Sequence, residues 1–134
     1  MKLNIFKAGD IILNYHKICS DNDLPITNDS LVVSVSRFKE QLIFLKKNYC
    51  LVSLDNLLNF QKSKKNKIAI TFDDGYKDNL INALPVLKEL NVPATIYIVT
   101  KFLKGEFSLW WRELHEYIYK NKNNIVFTHN EKKY

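Results

Sequence analysis

Ile68-Ala69-Ile70-Thr71-Phe72-Asp73-Asp74-Gly75-Tyr76 is a short apolar run that ends in two adjacent carboxylates and a glycine. An apolar, β-branched run of this length, closed by turn residues, predicts a buried strand over 67–72. That strand delivers Asp73 and Asp74 to its carboxyl end. Neighbouring acids repel, and desolvating both costs free energy unless a cation or a proton is shared between them. The placement points to one carboxylate that holds a metal and one that handles protons. The plainer alternative is an Asp-Asp-Gly turn, since both residue types favour turns. Gly75 suits the tight bend that follows the acids.

Outward from this stretch, strand and helix patterns alternate. Ile11 to Tyr15 reads as a first buried strand ending at His16, and 21–28, with Pro25, as loop. Ser36 is expected to cap a helix running to about Lys47, with Phe38, Leu42 and Leu45 on one face. Lys46 and Lys47 suit its negative end, and Asn48 closes it. A strand over 49–52 follows, then a short helix over 54–60 capped by Ser53. Beyond the acids, Leu80, Leu84, Leu87 and Leu90 form a helical apolar face interrupted by Pro85. A strand over 95–99, an amphipathic helix over 110–120 and a last strand over 124–128 complete the pattern. Apolar strands alternating with helices predict a parallel sheet covered by helices. Ligands of such folds bind beyond the carboxyl ends of the strands, so His16 and the Asp73-Asp74 pair are expected to face one pocket.

The chain has 134 residues, enough for one domain with a real core. Its net charge of +6 comes from 20 Lys plus Arg against 14 Asp plus Glu, and Arg37 and Arg112 are the only arginines. Lysine is a solvated point charge, whereas base and phosphate recognition favours the arginine fork. No basic stripe interleaved with stacking aromatics is present, which argues against nucleic acid as a partner. The basic run over 61–67 reads as a solvated loop before the buried strand. Cys19 and Cys50 have neither C-x-x-C nor metal-ligand spacing and are expected as thiols, with one disulfide as the open alternative. Residues 1–10 lack the apolar core and small-residue cleavage site of a signal peptide, and no apolar stretch is long enough for a transmembrane segment. The compartment is left open.

Thr71-Phe72-Asp73-Asp74-Gly75-Tyr76 resembles the first motif of the polysaccharide deacetylase family, metal-dependent de-N-acetylases that include chitin and peptidoglycan deacetylases. Leu13-Asn14-Tyr15-His16-Lys17-Ile18 is similar to that family's amino-terminal strand. Phe38 to Leu45, Val52-Ser53-Leu54-Asp55, Asn82-Ala83-Leu84-Pro85-Val86-Leu87 and Val92-Pro93-Ala94-Thr95 occur in matching order. Trp110-Trp111-Arg112-Glu113-Leu114 resembles a segment of one branch. The resemblance runs from about Ile11 to Leu114. It implies a distorted (β/α) barrel and a divalent metal, usually zinc, held by one aspartate and two histidines. It assigns Asp74 as a metal ligand and Asp73 as the catalytic base. It also implies hydrolysis of the acetamido carbon–nitrogen bond of an N-acetylated amino sugar, a non-peptide amide, in carbohydrate metabolism. His16 and Tyr76 are candidate substrate contacts.

The family's second motif, His-[Ser/Thr]-x-x-His, is absent. The histidines are His16, His115 and His129, and no two are four apart. One carboxylate does not close a zinc site, which takes three or four protein ligands. The expectation is therefore the amino-terminal portion of a deacetylase domain, a partial barrel of about four or five strands. Such a piece would be inactive alone and would pair with a missing carboxyl-terminal half. The competing reading is a non-catalytic carbohydrate-binding or interaction remnant. A magnesium-dependent phosphoryl-transfer enzyme is disfavoured, because the acids after the buried strand read Asp-Asp-Gly rather than Asp-x-Asp and no phosphate-cradling glycine motif is present. His16 is equally a ring packed at a strand end, and Tyr76 a packed aromatic with its hydroxyl in water. His115 reads as a surface histidine and His129 as part of a polar tail. Trp110 and Trp111 invite sugar stacking, but their spacing with Leu114 and Ile118 reads as core.

Overall fold

The computed structural model describes residues 9–23, 31–58, 66–108, 110–121, 128–129 and 132–133. Two compact units divide the chain, Met1–Val99 and Thr100–Tyr134. The first is built on a parallel sheet of β1 (Ile11–Tyr15), β4 (Cys50–Val52), β5 (Lys67–Phe72) and β6 (Ala94–Ile96). All six residues of β5 are buried, Lys67 and Thr71 included, as expected of the central strand of a parallel sheet. β1 pairs along one side of β5, from Ile11↔Ile68 to Tyr15↔Phe72. On the other side β4 pairs with residues 67–69 and β6 with residues 70–72. The expected parallel sheet is thus present and centred on the expected strand. The strand read over 95–99 is shorter, because its ladder ends where β5 ends; Tyr97 N–H still donates to the Phe72 carbonyl at 2.8 Å.

α1 (Val35–Asn48) covers one face of this sheet. Phe38 and Leu42 are fully buried and pack with Tyr15, Ile68, Ile70 and Phe72. Each such side chain contributes about 1.5–3 kcal/mol by leaving water. Tyr15 stacks on Phe72 at 5.6 Å between ring centroids, and Phe38 meets Tyr15 edge-on at 5.0 Å. The helix is capped by Ser34 and not by Ser36. Ser34 Oγ accepts from Arg37 N–H, whereas the Ser36 hydroxyl donates to Asp21 Oδ1 at 2.5 Å. Two serines in cap-like positions are indistinguishable until the loop bearing Asp21 claims one of them. At the other end Asn48 Nδ2 donates to the Phe44 carbonyl at 2.7 Å, as its closing position suggests. α2 (Leu54–Leu58) begins with Asn56 N–H donating to Ser53 Oγ, the expected cap. Residues 59–65, which include most of the basic run, lie outside the described set.

Pro85 has a larger effect than an interruption. Its ring disfavours the carbonyl four residues earlier and it donates no N–H. The preceding turn, Asn79–Ala83, is π-helical, with Leu84 N–H donating to the Asn79 carbonyl, before α3 (Leu84–Glu89) resumes the α pitch. The extra residue rotates the face. Asn79, Ala83, Val86 and Leu87 are buried, while Leu80 is exposed along an open groove of about 450 Å³ with Leu84, Pro93, Ala94 and Ile96. Lys39 bridges to Glu89 at 2.7 Å, a surface pair worth about 0–1 kcal/mol.

A second, two-stranded parallel sheet, β2 (Lys17–Cys19) with β3 (Val32–Ser34), was not expected. Three-residue strands give too short a pattern to read. Cys19 and Cys50 are both free thiols. In the second unit, α4 (Thr100–Leu103) precedes α5 (Trp110–Lys120), whose bounds match the amphipathic pattern. Trp110, Leu114, Tyr117 and Ile118 are exposed rather than core. β7 (Thr128–His129) pairs antiparallel with β8 (Lys132–Lys133), and residues 122–127 lie outside the described set. Among the described residues, no helix is long and apolar enough to cross a membrane.

Candidate active site

The parallel register brings distant residues to one edge. β1 and β5 end together, so His16 and Asp73 emerge side by side, and Asp73 N–H continues the ladder by donating to the Tyr15 carbonyl at 3.0 Å. Successive side chains on a strand alternate between faces. Because Tyr15, Ile70 and Phe72 enter the core beneath α1, Asn14 and Thr71 point the other way. The pairings Asn14↔Thr71 and Thr71↔Thr95 set three polar residues in one row across β1, β5 and β6. The row directly above it, at the carboxyl edge, contains His16 and Asp73.

The half-exposed Asp73 carboxylate accepts a hydrogen bond from β1. Asn14 Nδ2 donates to Asp73 Oδ2 at 2.7 Å, and Thr71 Oγ1 donates to Asn14 Oδ1 at 2.9 Å. His16 Nε2 lies 3.9 Å from the same Oδ2. The backbone of His16 is braced from below. Asn79 Nδ2 donates to the His16 carbonyl at 2.8 Å, and Asn82 Nδ2 to the Ile18 carbonyl at 2.7 Å. Ile18 N–H in turn donates to Asp78 Oδ1 at 3.3 Å. The π-helical turn thereby fixes the segment that carries the histidine, in keeping with the frequency of such turns near functional groups.

Asp74 and Gly75 both adopt left-handed backbone, with φ of 67° and 64°. Aspartate tolerates this region better than most residues, though at some cost. The left-handed pair turns the chain at once after Asp73, at the end of β5. Tyr76 sits farther along this turn, with Lys17 Nζ 5.4 Å from its ring centroid, and Lys17 also faces Asp78 Oδ2 at 3.8 Å. His16 and Asp73 therefore meet, while Tyr76 borders the turn beside Lys17. The side chains of His115 and His129 lie outside the described set.

Residue-by-residue reading missed Asn14 and Thr71. Each is a polar side chain inside an apolar strand, which is a signal in itself, but their facing each other depends on register. Nearby, burial pushes the Tyr15 hydroxyl up to about 12. Burial likewise raises the Cys19 thiol, which remains protonated at neutral pH.

The profile of the polysaccharide deacetylases matches residues 60–126. The chain belongs to this family. Among its relatives is YxkH of Bacillus subtilis, named as a polysaccharide deacetylase, 34% identical over 110 residues. That alignment covers 78% of this chain and 37% of the relative. The poly-β-1,6-N-acetyl-D-glucosamine N-deacetylase of Staphylococcus aureus is 32% identical over 114 residues, covering 74% of this chain and 39% of its own length. The chain thus spans well under half of either relative. A solved deacetylase from Streptococcus pyogenes, PplD, superimposes with a TM-score of 0.63 at 23% identity, over 83% of this chain and 53% of its own. A solved polysaccharide deacetylase from Bacillus cereus gives 0.52 at 34% identity, over 65% and 28%. The fold is the α/β fold of the deacetylases, represented in part.

A divalent metal is expected of this family, and zinc takes three or four protein ligands. Among the described residues no three His, Cys, Asp or Glu side chains converge as a ligand set. Asp74 by itself does not fit a closed metal site.

Proposed function

We propose that this chain carries the acidic part of a hydrolase site that removes acetyl groups from N-acetylated amino sugars, Asp73 being the base. The observation that carries the proposal is the anchoring of Asp73 at the shared carboxyl edge of β1 and β5, by Asn14 Nδ2 at 2.7 Å and beside His16. A base must hold its carboxylate where an incoming water will sit. Asp73 takes a proton from that water as its oxygen bonds to the acetamido carbon. The carbon–nitrogen bond then breaks, a proton passes to the leaving nitrogen, and acetate and a free amine result. His16 and Tyr76 are assigned to substrate contact at the edge of the turn. The name of the S. aureus relative makes a polymer of N-acetylglucosamine the first substrate to try.

In this proposal Asp74 is one ligand of a divalent metal, zinc before others. The resemblance implies that the remaining ligands are a histidine pair, a motif this sequence does not contain. In this proposal the chain supplies the amino-terminal portion of the catalytic domain. The test is zinc titration with a deacetylation assay on this chain alone and together with a polypeptide carrying the His-[Ser/Thr]-x-x-His pair. Release of acetate only from the mixture supports the proposal. The second reading is a non-catalytic carbohydrate-binding remnant of the same fold. Glycan binding without acetate release from either sample would establish it.

A further inference from the structure

We propose that Asn14 is the positioning residue for the Asp73 carboxylate and that Thr71 decides which end of the Asn14 amide faces it. The inference rests on the proposed role of Asp73 as base. An ionised carboxylate only accepts hydrogen bonds, so the Asn14 atom 2.7 Å from Asp73 Oδ2 is the amide nitrogen. The amide oxygen must then face Thr71, whose hydroxyl donates to it at 2.9 Å. Donation runs in one direction, from Thr71 to Asn14 to Asp73, and each bond polarises the next.

The relay is rigid because of where its members stand. Thr71 is buried at 4% exposure in the central strand. Asn14 is its direct partner in the β1–β5 ladder, so backbone hydrogen bonds hold the two side chains opposite each other. Asp73 is different. It is the first residue beyond the strand, and the next two residues are in left-handed backbone. Without a partner its side chain is free to exchange among staggered rotamers. Asn14 selects one of them and occupies Oδ2, the oxygen that His16 Nε2 also faces at 3.9 Å. Oδ1 is therefore the oxygen assigned to receive the proton.

The experiment is measurement of the χ1 couplings of Asp73 by NMR on the isotope-labelled full chain, for wild type, Asn14→Ala, Thr71→Val and Thr71→Ser. Near-UV circular dichroism monitors packing in parallel. Wild type and Thr71→Ser are expected to give the couplings of one rotamer. Asn14→Ala and Thr71→Val are expected to give averaged values with the aromatic signal retained. A merely structural role would lower the unfolding midpoint and leave the couplings alone. Should Asn14→Ala fail to fold, the Thr71→Val and Thr71→Ser pair decides the matter. A single Asp73 rotamer in Asn14→Ala, or in Thr71→Val, overturns the proposal. The acetate-release assay tests the hydrolase reading independently. Its failure with averaged couplings in the variants would remove the chemistry and leave the positioning intact.

Discussion

Replacing Gly75 by alanine probes the left-handed turn that closes the Asp73-Asp74 stretch. Gly75 has φ of +64°, where an L-residue pays about 1–2 kcal/mol. Alanine also narrows the unfolded ensemble, which offsets about 0.4–1 kcal/mol of that cost. The added Cβ would meet Ile98 Cγ1 at 3.3 Å and its Cα at 3.5 Å. The first contact is tight, but Ile98 is half exposed and its side chain has room to turn aside, while the second is ordinary packing. The contact therefore adds a few tenths of a kcal/mol at most, which leaves a net loss of about 1 kcal/mol. Gly9 is the internal control: a Cβ added there meets nothing within 4 Å and its φ is not left-handed, so Gly9→Ala is expected to leave stability level or slightly raised. The assay is urea unfolding followed by far-UV circular dichroism, with the slope compared as well as the midpoint. A Gly75→Ala protein as stable as wild type would refute the reasoning, because it would mean that the left-handed turn is not held in solution.

Phe38→Ala empties the fully buried centre of the Tyr15–Phe38–Phe72 cluster and should cost about 3–5 kcal/mol, read as a fall in the urea midpoint. Ser34→Ala removes the α1 cap and is expected to cost about 1 kcal/mol. Ser36→Ala, which loses no cap, should separate from it in the same measurement. Tyr15 titrates higher folded than its ordinary value of 10.0, at about 12. Its contribution is therefore complete below about pH 10 and lost as pH rises towards 12. Thermal unfolding across that interval should fall more steeply for wild type than for Tyr15→Phe, and equal slopes would contradict the burial of the hydroxyl.

Much of the architecture was legible in local pattern, although β1, read as a buried strand, has Ile12 and Asn14 exposed because it lies at the side of β5 away from β4 and β6. β1, β5 and α5 have the expected bounds, since long apolar runs and a sustained helical period are local properties. The errors arise where a choice depends on something distant. Ser34 displaces Ser36 as cap because Asp21 engages the Ser36 hydroxyl. Leu80 leaves the buried face because Pro85 widens the turn before it. The exposure of Trp110 and Leu114 was likewise invisible, since an amphipathic pattern says that a face exists and not what covers it.

At the site, residue pattern alone reveals that two acids follow a buried strand and that a histidine follows a second strand. It also shows kinship with the deacetylases, which rests on residues that stay recognisable wherever the strands lie. That His16 stands beside Asp73, that Asn14 and Thr71 face each other, and that Asn14 holds the carboxylate emerge from the assembled sheet. Strand register sets all three. A shift of one residue between β1 and β5 would send Asn14 to the opposite face, and no local preference of either strand specifies that alignment. It is set by the fit of Tyr15 and Phe72 against Phe38, a packing event between segments far apart in the chain.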